Sequence, residues 1–268
     1  MIAHKFTNGL NKDIMPASDA TVFELSRLDR ERHLCALTAP VEKRAGLMAL
    51  IAFNQELARI AGGVSEPMLG HIKLQWWIDV VPGILQGRAP SHPVARALGE
   101  VRDAMADRSV ELRSLAEARN FDLEPERPQS LDALTAYAAA TSGTLHSLML
   151  DVLGVTQEDA HAAARDIGTA WALIGLMRAL PYEKKGRDML PVNTSVREVL
   201  EHAQGLLKGG RSRSVTKTAL PSLMVARLAD RHIKRLEKQA WDPAAREEPP
   251  AGVGVVASVW WGKLTGTY

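Results

Sequence analysis

A single cysteine, Cys35, stands in a chain of 268 residues, so no intrachain disulfide is available and a reducing compartment is expected. Charge of one sign is equally scarce. The net charge is +2, which excludes the bulk basic field that draws nucleic acid. No run approaches the ~18 to 20 apolar residues of a membrane span. The first residues, MIAHKFTNGLNKD, lack the apolar core of a secretory signal. These absences predict a cytoplasmic protein, with peripheral attachment to the inner face of a membrane left open. The histidines form no His-x-x-His pair, and there is neither a Gly-rich phosphate loop nor a Gly-x-Ser-x-Gly elbow. Zinc hydrolases, P-loop enzymes and α/β-hydrolases are therefore not indicated.

What is present is helical periodicity, with no run of alternating strand residues. The 46% hydrophobic and 24% charged fractions are those of a globular chain, and its length suits one all-α domain over residues 1–268. A helix is expected over 18–36, opened by Ser18 or Asp19 as a cap. Pro40 starts a longer one that closes at Gly62-Gly63. A third runs from Ser65-Glu66-Pro67 towards Gly87 and carries Leu74, Trp76, Trp77, Ile78 and Val81. After the loop RAPSHP, helices are expected over 93–106 and 109–120, then 130–154 and 157–181 on either side of Gly154. Lys208 to Lys217 reads as a solvated basic loop before a helix over 217–240. A Pro-rich linker then leads, within 241–268, to the apolar tail VVASVWWGKL.

The most telling stretch is GTAWALIGLMRALPYEKKGRDMLP, residues 168–191. It resembles the second conserved segment of squalene and phytoene synthases. Arg178, Gly186, Arg187, Leu190 and Pro191 fit that frame. Four further segments resemble the family in order: RHLCALTAPVEKRAGLMALIAFN, LQWWIDVVPGILQGRAPSHPVARAL, YAAATSGTLHSLMLDVLG and ALPSLMVARLADRHIKRL. The resemblance spans about residues 18 to 240. It implies an isoprenoid-synthase-like helical bundle around a central apolar pocket, in which two Asp-rich helix faces hold Mg²⁺ against a substrate diphosphate.

Here that chemistry is mostly missing. In the family frame Ala58 and Gly62 occupy the carboxylate positions of the first motif, and Ala179 and Glu183 those of the second. Ala172 and Gly175 stand where the enzymes carry Gln and Asn. A methyl group or a hydrogen cannot ligate a hard cation, so no magnesium cluster and no other cofactor is expected. On an ideal helix Glu56 points about 200° away from Ala58, and Asp166 about 220° from Ala179, so neither is expected to substitute. This loss resembles a non-catalytic branch of the family, the assembly factors of respiratory complex I. Met177-Arg178-Ala179-Leu180-Pro181-Tyr182 and AFNQELARI carry that likeness. It implies a binding or assembly role with a respiratory-complex subunit or another protein as partner, on the mitochondrial matrix side in a eukaryote. The alternative implied by the family is a prenyltransferase that condenses two isoprenoid diphosphates through altered Mg²⁺ ligands.

Several residues are candidates for binding. Arg178, Lys184, Lys185 and Arg187 either meet a lipid diphosphate or anionic head, or form a basic turn with Arg178 in a structural pair. Phe53, Trp77, Gly143, Ala172 and Gly175 are expected to line an apolar pocket for an isoprenoid or other lipid, against the plainer reading of close helix packing. At least one of Trp76 and Trp77 is expected in the core. His33 and Cys35 diverge by about 200° and are not expected to share a ligand. Trp260, Trp261 and Lys263 suit either a membrane interface or a last helix docked on the core.

Overall fold

The computed structural model describes residues 17–182, 189–244 and 252–268, with the backbone path alone for 17–21 and Leu25. All regular structure among these residues is helical. In chain order the helices are α1 (Ala17–Leu28), α2 (Arg30–Ala36), α3 (Val41–Arg59), α4 (Pro67–Leu85), α5 (Pro93–Gly99) and α6 (Ser109–Ala118). There follow α7 (Leu131–Ala138), α8 (Thr144–Leu153), α9 (Glu158–Ala179), α10 (Val196–Arg211), α11 (Leu220–Leu223), α12 (Val225–Lys238) and α13 (Val253–Thr265). Short 3₁₀ turns join several of them.

Long α9 is the centre of one half, covered by α8, α10 and α12. Long α3 is the centre of the other, covered by α1, α5 and α8, while α4 lies across α5 and α6. Helix α8 thus packs on both long helices. The core is a contiguous cluster in which Leu50, Phe53, Leu145, Met149, Leu173 and Ile174 are fully buried. Each such side chain contributes roughly 1.5 to 3 kcal/mol of transfer free energy.

Most expected helices are present, and their departures have local causes. The helix expected over 18–36 breaks at Asp29, whose backbone (φ −95°, ψ 74°) is not helical and whose carboxylate caps α2 at Arg32 N. The stretch expected as one helix over 130–154 contains a π-helical turn, Ala139–Gly143, between α7 and α8. Thr141 Oγ1 donates to the Tyr137 carbonyl at 2.8 Å within that turn. Gly154 ends α8 in the left-handed region (φ +79°), as a glycine does without strain. Helix α10 is absent from the sequence-based reading. It opens with a capping box in which Ser195 and Glu198 satisfy each other's backbone N–H. Its last turn, Lys208–Arg211, takes up the start of the expected basic loop.

The tail is a docked helix. Val259 and Gly262 of α13 are buried, Lys263 Nζ donates to the Thr38 carbonyl, and Arg231 reaches the Gly254 carbonyl at 3.2 Å. Most of the Pro-rich linker lies outside the described residues. No described helix is long and apolar enough to cross a membrane.

Candidate functional site

Two clefts border the positions singled out in the sequence, Ala58 and Gly62 on one and Ala179 on the other. At the end of α3 the chain leaves the helix after Arg59 and turns through the 3₁₀ segment Ala61–Gly63. Ala58 and Gly62 border a cleft of about 970 Å³ together with Glu56, Ile60, Trp77 and His92. Trp77 is packed edge-on between Phe53 (5.1 Å) and His92 (5.0 Å). Glu56 Oε1 lies 3.8 Å from His92 Nε2. The expectation that Glu56 faces away from Ala58 is therefore corrected. The cleft wraps around the end of α3, so residues about 200° apart on the helix both reach it.

Gly175 and Ala179 of α9 border a second cleft, of about 870 Å³, with Asp29, Glu31, Arg178 and His232. Glu31 is held from two sides. His232 Nε2 lies 2.9 and 3.0 Å from its two oxygens, and Arg178 approaches at 3.5 Å. Asp29 is bound to the Arg32 guanidinium. Both carboxylates that reach this cleft already face cations. Arg178 is half-buried with a carboxylate partner, while Glu183, Lys184, Lys185 and Arg187 lie outside the described residues. Asp166 pairs with Arg213, away from Ala179.

Two networks of side-chain hydrogen bonds centre on Arg32 and Arg119. Arg32 Nε donates to His146 Nε2 at 3.0 Å, and the same guanidinium binds Ser142 Oγ and Asp29 and lies over the Trp171 ring at 5.9 Å. His146 Nδ1 in turn donates to the Ser222 carbonyl at 2.7 Å. Burial, with Arg32 beside it, pushes the His146 imidazole down to about 3, so it is neutral at physiological pH. The second network ties α3 to the segment before α7. Arg119 donates to Asn54 Oδ1 (3.1 Å) and to Tyr137 Oη (2.8 Å), and Tyr137 donates to Asp122 (2.7 Å).

Of the expected pocket-lining residues, Trp77 and Gly175 border clefts, one each. Phe53 is fully buried in the core. Gly143 is a packing contact: a Cβ there would stand 2.8 Å from Thr169 Oγ1. The neighbouring Gly168 allows α9 to approach the π turn, where a Cβ would meet the Ser142 carbonyl at 2.5 Å. Small residues here serve close helix packing, which corrects the expectation of open space beside Gly143. Ala172 is half-buried against the core. Trp77 is buried and Trp76 exposed. His33 Nδ1 pairs with Ser26 Oγ at 2.9 Å, while burial pushes the Cys35 thiol up, so the two share no ligand.

The Mg²⁺ site that the fold family implies does not fit these residues. Among the described residues no group of three or more His, Cys, Asp or Glu side chains is arranged to hold a metal ion. Ala58 and Gly62 offer no donor atom at the first motif, and neither does Ala179 at the second. The residues that sequence reasoning missed are Asp29, Glu31, Arg32, His146 and His232. The one signal for Asp29 was its identity as a good capping residue inside a supposed helix.

Comparison with known proteins places this architecture. The squalene/phytoene synthase family model matches residues 25–226. Assembly factor 6 of NADH dehydrogenase (ubiquinone) complex I from Mus musculus is 29% identical over 254 residues, covering 85% of this chain and 76% of the mouse protein. A crystal structure of a dehydrosqualene synthase superposes with a TM-score of 0.71 at 16% identity, over 92% of this chain and 98% of the other. A squalene synthase from Alicyclobacillus acidocaldarius gives 0.70 at 17% identity, over 85% and 98%. These two likenesses establish the all-α isoprenoid-synthase fold. With the family model covering most of its length, the chain belongs to the squalene/phytoene synthase family.

Proposed function

We propose that this protein is an assembly factor for respiratory complex I that has given up prenyl transfer and works from the membrane surface, on the matrix side in mitochondria. The alignment with the mouse assembly factor along most of both chains carries the assembly role. Deleting the gene in the source organism should deplete assembled complex I on native gels, and the wild-type chain should restore it. Normal complex I in the deletion strain would remove the assembly role.

The loss of chemistry is supported by the residue types at the motif positions, Ala58, Gly62 and Ala179, each bordering a cleft without a carboxylate of its own. A methyl group or a hydrogen at these three positions supplies no carboxylate to a cluster that would grip a diphosphate. The fold likeness to a dehydrosqualene synthase favours the competing prenyltransferase reading, and a melting experiment separates the two. A ligand at a hundredfold excess over its dissociation constant stabilises the folded state by about 2.7 kcal/mol. Mg²⁺ with inorganic diphosphate is expected to leave the melting temperature unchanged, and farnesyl or geranylgeranyl diphosphate to release no diphosphate. Magnesium-dependent release would establish the enzyme instead.

The membrane contact is assigned to the outer face of α13. Val253 is 86% and Trp261 62% exposed, with Val256, Trp260 and Leu264 alongside. Indoles prefer the headgroup region of a bilayer, which suits this face. Burying two indoles is worth roughly 3 kcal/mol or more, over a hundredfold in partition. The wild-type protein should float with anionic liposomes at low salt, and Trp260→Ser/Trp261→Ser should remain in the soluble fraction. If the two forms distribute alike, α13 is a structural helix only.

A further inference from the structure

The cleft at the end of α3 has properties that a vanished diphosphate site does not explain. Its walls are Ile60, Trp76 and Trp77, and it continues outward along α4. There Met68, Leu69, Ile72 and Trp76 form a stripe spaced for one helix face, with Met68 68% and Ile72 58% exposed. From Met68 to Trp76 the stripe runs about 12 Å at ~1.5 Å per residue. Apolar anchors at i, i+3, i+4 and i+7 on another helix span ~10.5 Å, a matching length. Contiguous exposed apolar surface of this kind marks an interaction site more often than chance.

Charge decides what the site accepts. Arg59 and Lys73 border the cleft, and neither makes an ion pair or side-chain hydrogen bond with another described residue. Of the nearby acids, Glu56 on the cleft wall faces His92 at 3.8 Å, Asp79 accepts from Gln75 at 2.8 Å, and Glu66 stands at the outer end of the stripe, so the cleft itself carries two cations against one carboxylate. Two unpaired cations beside an apolar groove ask for carboxylates carried on an apolar element. A concave cleft of about 970 Å³ receives a protruding ridge, whereas a flat bilayer meets convex surfaces. We infer that the cleft and the α4 stripe together seat an amphipathic helix of a partner protein, apolar on the inward face and acidic along its edge. This inference rests on the assembly reading and names the chemistry of its partner contact.

The test uses the full chain and a fluorescent model peptide of about four helical turns, with leucines at the i, i+4 and i+7 positions and glutamates beside them. Its isomer carries lysines in place of the glutamates. The glutamate peptide is expected to bind roughly tenfold or more tightly than the lysine isomer at low salt. Ile72→Glu, at an exposed position, should weaken it about tenfold with the melting temperature unchanged. Arg59→Glu/Lys73→Glu should reverse the preference between the isomers. Equal binding of the two isomers, or indifference to both variants, overturns the proposal. So does a Trp76 indole resonance that shifts with anionic vesicles and not with peptide. Gene deletion keeps the two readings apart. A strain that assembles complex I without the protein removes the assembly role and leaves a peptide-binding cleft standing. A strain that needs the protein, yet is served fully by Arg59→Glu/Lys73→Glu, removes the cleft alone.

Discussion

Arg32→Ala is expected to destabilise the protein by about 3 to 5 kcal/mol, the cost of removing one partner of a buried ion pair. Arg32 is 7% exposed and has four partners: Asp29, Ser142, His146 and the face of Trp171. Alanine strands the Ser142 hydroxyl and the His146 acceptor in the interior, leaves the Asp29 carboxylate at the cleft without its cation, and opens a void beside Trp171. Arg32→Met separates these effects, because it restores volume without a donor. Asp29→Asn in the Arg32→Met background should cost less than in the wild type, since the charge it removes is already unpaired. Urea unfolding midpoints of the four proteins measure the coupling. Strict additivity, or an Arg32→Ala midpoint within error of the wild type, would show that the guanidinium is solvated and that the interior is not held by it.

That network also marks the limit of what was legible beforehand. The helices that carry strong periodicity, α3, α4 and α9, could be read because their apolar residues recur at helical spacing. The family resemblance could be read because a motif is a matter of residue type at fixed spacing, and Arg178, Leu190 and Pro191 are visible as letters, as are Ala58, Gly62 and Ala179 at the positions proposed to have lost their carboxylates. Burial of charge has no such signature. The run Asp29-Arg30-Glu31-Arg32 looks like a solvated helix face, and only the path of α8 and α11 turns Arg32 inward. The break at Asp29 is what aims Glu31 at His232, some 200 positions later in the chain. Glu56 shows the opposite failure. Ideal helical geometry placed it correctly on its helix, but that helix ends one turn later and the cleft wraps around the end. Helix α10 was missed although Ser195 and Glu198 spell out its start, because its first apolar pair, Val199 and Leu200, is short and followed by charge.

The same interior should make the protein acid-sensitive above the range where carboxylates titrate. His146 has an imidazole pushed down to about 3 by burial and by Arg32, against about 6.5 in the unfolded chain. Between those values the unfolded state binds a proton that the folded state refuses. Stability from this group is therefore complete above about pH 6.5 and is lost as the pH falls towards about 3. At pH 5 the loss is about 2 kcal/mol from His146 alone. Burial and Arg27 also lower the His33 imidazole, which adds to the loss in the same direction. Urea midpoints at about pH 7.5 and about pH 5 should fall steeply for the wild type and by ~2 kcal/mol less for His146→Gln, whose amide still accepts from Arg32. Arg32→Met should also flatten the profile, because the cation that opposes protonation of His146 is gone while burial remains. A wild type and a His146→Gln variant with parallel pH profiles would mean that His146 is protonated alike in both states, and that water reaches the centre of the bundle.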